Sequence, residues 1–142
     1  SISHFGDLTN LISNAGVSVF EPFLEREENS IDWVMDVNLK GTIFCIKEFL
    51  NQVKKPSKYR SIVNIASHYG IISPDPRIYT DCDRKNSEIY GATKAGVIQM
   101  TKYYAVHASS FRVRFNSVSP GGIFNSENPQ GKDFQKNYRL LE

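Results

Sequence analysis

No apolar run in the 142 residues approaches the roughly 20 needed to cross a bilayer as a helix. The opening Ser-Ile-Ser-His-Phe-Gly lacks the charged-then-apolar pattern of a secretory leader. Cysteine is scarce: Cys45 and Cys82 stand far apart, with no CxxC and no metal-ligand spacing, so neither a disulfide framework nor a metal centre is expected. Cys45 falls in an apolar stretch and is expected to be a small core residue. An excess of one charge is missing too. Seventeen basic and fifteen acidic residues leave a formal +2, which gives no reason to expect nucleic acid or an anionic membrane as partner. Repeats and low-complexity segments are absent. These absences fit a reduced, cytoplasmic protein.

What is present is ordinary for a globular chain: 40% hydrophobic, 23% charged, and long enough for a real core. Leu8 to Ser13 is a short apolar run that reads as a buried strand, ending at Asn14-Ala15-Gly16. Glu21 to Asn29 is charged and reads as surface. Ser30 is a candidate cap for a helix from Ile31 to about Val53, with Val34, Val37, Gly41, Phe44 and Cys45 at helical spacing. A basic turn containing Pro56 precedes a second strand, Ser61 to Ala66. Ser73 to Asn86 is a long loop rich in Pro, Asp and charge, and loops of that size are functional or disordered. Ser87 can cap a helix from Glu88 to about Ser109, with Ile89, Ala92, Gly96, Val97 and Met100 on one side. Val113 to Val118 reads as a third strand, broken by Ser119-Pro120-Gly121-Gly122. After Ile123 the chain is polar, with a short helix possible from Phe134. Strand, helix, strand, helix, strand is a βαβαβ unit with a parallel sheet. Ligands of such sheets bind beyond the carboxyl ends of the strands.

Tyr90 and Lys94 are four residues apart on an expected helix and share a face. A free phenol titrates near 10, and a neighbouring ammonium favours the phenolate, so such a pair suits general acid/base work. Taken alone, the favoured reading of such a pair is an exposed helix with a Tyr lying on a Lys stem. Ser67 follows a strand directly and faces the expected crevice; it could hydrogen-bond a carbonyl or alcohol oxygen, or simply close a turn. Asn38 lies within Trp33-Val34-Met35-Asp36-Val37-Asn38-Leu39-Lys40-Gly41, where Asn competes for backbone hydrogen bonds. It could cap or kink the helix, or hold a water.

Together the stretches Asn14-Ala15-Gly16, Asp36-Val37-Asn38-Leu39-Lys40-Gly41, Ile62-Val63-Asn64-Ile65-Ala66-Ser67-x-x-Gly70, Tyr90-Gly91-Ala92-Thr93-Lys94-Ala95-Gly96 and Ser119-Pro120-Gly121-Gly122 resemble, in order and spacing, those of short-chain dehydrogenases/reductases. The resemblance implies an α/β fold, a Rossmann-like doubly wound parallel sheet, here as one partial domain over residues 1–142. It implies catalytic roles for Asn38, Ser67, Tyr90 and Lys94. Tyr90 would exchange a proton with the substrate oxygen, and Ser67 would hold that oxygen. Lys94 would assist Tyr90 and bind the nicotinamide ribose. Asn38 would position a water that links Lys94 to solvent. Asn14, Ala15 and Gly16 would line the adenosine-ribose side of the cofactor, NAD or NADP, Tyr90 and Lys94 would also contact it, and Pro120, Gly121, Gly122 and Ile123 would wrap its nicotinamide end. The expected reaction converts a carbonyl/alcohol pair of a small-molecule substrate, and the expected assembly is a homodimer or homotetramer through the helices that hold Asn38 and Tyr90.

The pattern departs from the family in three places. The glycine-rich TGxxxGxG turn that seats the pyrophosphate, and the strand after it, do not occur in these residues. Ser13 stands where the family usually has Asn. The gap from Ser67 to Tyr90 is longer than usual. Its Ser73-Pro74-Asp75-x-x-Ile78-Tyr79, with Ser119-Pro120-Gly121-Gly122-Ile123-Phe124-Asn125, resembles bacterial members associated with flagellin glycosylation and nonulosonic-acid sugar biosynthesis. That subgroup implies a sugar or sugar phosphate as substrate, with Arg77 and Lys85 available to an anionic group. The loop's place between Ser67 and Tyr90 suggests a lid over the substrate side of the crevice, the alternative being a solvated surface insertion. The alternative to an enzyme is a non-catalytic remnant that serves as an association module.

Overall fold

The computed structural model describes residues 7–53, 59–80, 86–123 and 134–139. Strands β1 (Asn10–Ser13), β2 (Arg60–Ile65) and β3 (Val113–Val118) form a parallel sheet in that order. Helix α1 (Glu28–Met35) passes through one π-helical turn, Asp36–Lys40, into α2 (Gly41–Asn51). Helix α3 (Glu88–His107) joins β2 to β3. Single 3₁₀ turns, His68–Gly70 and Pro76–Ile78, follow β2, and a short α4 (Phe134–Arg139) closes the description. The order is the expected βαβαβ unit and matches part of a Rossmann-like fold.

Register pairing places Leu11, Ile62 and Phe115 in line across the sheet. They meet Ile46 and Phe49 of α2, Met100 and Tyr104 of α3, and Val113 and Ala108 in one core cluster. Each fully buried aliphatic side chain there contributes about 1.5–3 kcal/mol. Residues one step along point to the other face, where Ile12 is 65% and Val118 48% exposed. β1 is therefore covered on one face, not buried throughout as its apolar run suggests.

Other expectations need correcting. Cys45 is exposed, because the buried stripe of α2 is Thr42, Ile46 and Phe49, and Cys45 and Phe44 fall outside it. Ser30 is no cap: the helix begins two residues earlier at Glu28, and the Ser30 hydroxyl donates to Glu21 Oε1 at 2.7 Å. Arg26, in the charged stretch read as surface, has a nearly buried side chain held by Glu21 and Glu88. Ala92 is exposed, and the inward face of α3 carries Thr93, Lys94, Val97 and Thr101. Cys82, the Pro56 turn, Asp81 to Lys85, Phe124 and Asn125 lie outside the described residues.

Candidate active site

The carboxyl ends of all three strands open on one cleft of about 350 Å³. Ser67 lies just past β2. Its Oγ accepts the Tyr69 backbone N–H at 3.1 Å and so caps the 3₁₀ turn, while its hydroxyl proton stays free to rotate toward the cleft. The turn packs hard on α3, with no room for a side chain at Gly70: a methyl there would lie 2.7 Å from the Lys94 carbonyl carbon. The segment beyond β3 is tied to the same turn, since Pro120 O accepts the His68 N–H at 3.0 Å.

Tyr90 stands one turn into α3. Ser87 caps that helix by accepting the Tyr90 N–H at 3.2 Å, as its position suggests. Arg26 anchors the same end through Glu88, and its guanidinium holds that carboxyl below the ordinary value. One turn on, Lys94 is 4% exposed and its Nζ lies 5.6 Å from the Tyr90 ring centroid. Nζ donates to Ile65 O at 2.8 Å, and burial pushes the ammonium below the ordinary lysine value.

Asn38 occupies the π-helical turn and is 1% exposed. Its side chain grips the Val17 backbone from both sides: Oδ1 accepts the Val17 N–H at 2.7 Å, and Nδ2 donates to Val17 O at 2.9 Å. Nδ2 also donates to Thr93 Oγ1 at 3.1 Å. Asn38 thus fixes the loop after β1 against α3. A methyl at Gly16, in that loop, would approach Lys94 Nζ to 3.2 Å. This crowding is why the chain is bare there.

Asn14, Gly16, Ser67, Tyr90, Lys94, Pro120, Gly121, Gly122 and Ile123 all line the cleft. Ala15 is exposed and does not line it, and Asn38 reaches it only through Val17. The rest of the wall is Val17, Ser18, Ile65, Ala66, His68, Tyr69, Asn86 and Phe134, of which Val17, Ser18 and Phe134 lie outside the segments expected to face the cleft. Phe134 packs on Tyr79 of the long loop with ring centroids 5.5 Å apart, and the Tyr79 and Tyr69 hydroxyls are hydrogen-bonded. Arg77 is paired with Asp75, so the described part of the loop does not hold it ready for an anion.

A phenol, a buried ammonium and a serine hydroxyl on one cleft are a proton-transfer set. The family model of short chain dehydrogenases matches residues 1–133. The chain belongs to this family. A curated relative, the 3-oxoacyl-[acyl-carrier-protein] reductase FabG of Staphylococcus aureus, is 33% identical over 122 residues, covering 86% of this chain and 45% of its own length. L-rhamnose-1-dehydrogenase of Scheffersomyces stipitis is 28% identical over 137 residues, covering 96% and 49%. A solved short chain dehydrogenase from Leptospira borgpetersenii with bound NAD+ superposes with TM-score 0.86 at 38% identity, covering 97% of this chain and 51% of that one. ElxO with NADP bound superposes with TM-score 0.72 at 30% identity, covering 99% and 50%. The chain spans about half the length of the curated relatives it matches.

Proposed function

We propose that the gene product carrying this chain, read as a single partial domain, is an NAD(P)-dependent oxidoreductase that interconverts a carbonyl and an alcohol on a small-molecule substrate. The observation that carries this reading is the convergence of Ser67, Tyr90 and Lys94 on one cleft. The cofactor is proposed because two solved relatives hold NAD+ and NADP, and because this cleft suits the nicotinamide-ribose end. Gly16, Gly121 and Gly122 put bare backbone on its wall, and Lys94 lines the same wall as a buried cation. When bound, the nicotinamide supplies or takes up the hydride.

Everything else falls to the chain's own groups. Tyr90 gives its hydroxyl proton to the substrate oxygen in reduction and takes it back in oxidation. Ser67 donates a hydrogen bond to that oxygen and fixes its position. The Lys94 ammonium stabilises negative charge as it develops on the phenol oxygen, and its remaining protons serve the ribose hydroxyls. Asn38 is assigned to a water that returns protons to Lys94; its side chain is occupied with Val17 and Thr93, so its part in that relay is to hold the surrounding backbone.

A sugar or sugar phosphate is the proposed substrate, supported by the polar wall of Asn14, Ser18, His68 and Asn86 and by the rhamnose dehydrogenase among the relatives. Placement in the flagellin and nonulosonic-acid group rests on the loop motif alone. Trp33, Phe44, Tyr103 and Val106 are exposed on α1, α2 and α3, which favours pairing of these helices with a second copy and equally serves the alternative of a non-catalytic association module. No described helix is long and apolar enough to cross a membrane, and the proposed place of action is the cytoplasm.

Tyr90→Phe in the full-length gene product decides between the two readings. Turnover should fall at least a hundredfold, the scale of a lost general acid/base, with cofactor affinity retained in fluorescence titration. A variant that keeps near-normal rates removes Tyr90 from the chemistry.

A further inference from the structure

We propose that Asn86 is a substrate-specificity residue that reads a second oxygen beside the reacting carbon, an inference that rests on the catalytic reading above. Asn86 lines the cleft at the very end of the long loop, one residue before the cap of α3, on the approach to Tyr90. Its Oδ1 accepts the Ser18 hydroxyl at 2.7 Å across 68 residues of sequence. With Oδ1 turned to Ser18, the Nδ2 end is left to donate, and no described residue accepts from it.

Ser18 is itself rigidly placed. It follows Val17, whose N–H and C=O are both held by Asn38. Asn38, Val17, Ser18 and Asn86 therefore form a chain of fixed contacts that ends in a donor on the cleft wall. A preorganised neutral donor recognises a neutral acceptor, and a fixed one discriminates by position. The reacting oxygen is already served by Ser67 and Tyr90, so Asn86 would serve another oxygen of the same molecule. The substrate class is a polyhydroxylated alcohol or hydroxy-carbonyl compound, as opposed to a simple ketone or secondary alcohol.

The test compares cyclohexanol with trans-1,2-cyclohexanediol as alcohol substrates of the full-length gene product, with NAD+ and with NADP+. The unaltered protein should prefer the diol in kcat/KM. Asn86→Ala should lower kcat/KM for the diol about three- to tenfold, the worth of one neutral hydrogen bond, mainly through KM, and leave cyclohexanol within about twofold. Ser18→Ala keeps the amide but frees it, and should reproduce part of the loss, again for the diol alone. An equal loss on both alcohols would make Asn86 a merely structural residue and overturn the assignment, as would a lack of diol preference in the unaltered protein. Failure of the unaltered protein to oxidise either alcohol removes the catalytic reading and this inference with it.

Discussion

Lys94 holds an ammonium where water barely reaches, with Ile65 O as its hydrogen-bond acceptor. Burial lowers its proton affinity below the ordinary value of 10.5. Between the lowered value and 10.5 the unfolded chain therefore binds more protons than the folded one, and folding grows more favourable as pH rises. Lys94→Met has no such proton. In chemical denaturation at a series of pH values, the stability difference between the unaltered protein and Lys94→Met should move toward the unaltered protein as pH climbs from neutrality toward 10.5. A difference flat with pH would mean that Lys94 is no worse solvated folded than unfolded. At this scale local rules place Ser67, Tyr90 and Lys94, at a strand end and at two positions one helical turn apart, while their roles are implied only by the resemblance of five ordered stretches to a family. Ser18 and Asn86 are not so placed, since a bond across 68 residues leaves no local pattern. The same holds for Ser13 and Asn64. They are register partners, yet Ser13 Oγ and Asn64 Oδ1 are both buried without a hydrogen-bond partner among the described residues.

Elements carry these residues into position by close approach. A methyl at Gly70 would meet the Lys94 carbonyl carbon at 2.7 Å and the Ala95 nitrogen at 2.8 Å, both backbone, so no side-chain rotation relieves the clash. Gly70→Ala should cost about 1–3 kcal/mol, as overpacking does, read as a lower thermal midpoint. Because it pushes the turn that carries Ser67 away from α3, turnover measured well below the midpoint should fall too. Unchanged stability would show that the turn yields freely. The long loop behaves differently from a solvated insertion: Ile78 and Tyr79 are buried, Tyr79 rests on Phe134, and the Thr80 hydroxyl accepts the Asn137 amide at 3.1 Å. The described part of the loop therefore packs against α4 on the Phe134 side of the cleft. Excising residues 75–84 while keeping Asn86 should raise substrate KM or lower kcat through poorer positioning, with cofactor KM nearly unchanged. Intact substrate kinetics after excision would end the lid reading. The extent of α3 was readable from 3.6-residue spacing and from Ser87 as a cap, whereas α1 begins at Glu28, before the Ser30 expected to cap it. The inward face of α2 was not readable, because Phe44 and Cys45 are as apolar as the residues that pack, and only the sheet beneath selects Thr42, Ile46 and Phe49.

Among the described residues the sheet is finished on one side. Parallel strands are ordinarily covered on both faces, and here α2 and α3 cover one while Ile12 and Val118 stand exposed on the other. β1 pairs only with β2 among the described strands. The relatives run to about twice this length, and the glycine-rich turn that would hold a pyrophosphate at a helix N-terminus does not occur in the 142 residues. The charged phosphates are the part of a dinucleotide that most needs fixed donors, and the cleft wall among the described residues includes no glycine-rich helix start of that kind. The isolated 142-residue chain should therefore bind NAD+ and NADP+ weakly, with a dissociation constant of about a millimolar or above, equivalent to no more than roughly 4 kcal/mol. Isothermal calorimetry on the isolated chain is the measurement, paired with circular dichroism to show that the helices are formed. A folded chain that binds either cofactor at micromolar concentration, roughly 8 kcal/mol, would mean that Lys94, Gly16 and the Pro120 to Ile123 segment suffice to hold a dinucleotide without an anion-binding helix end.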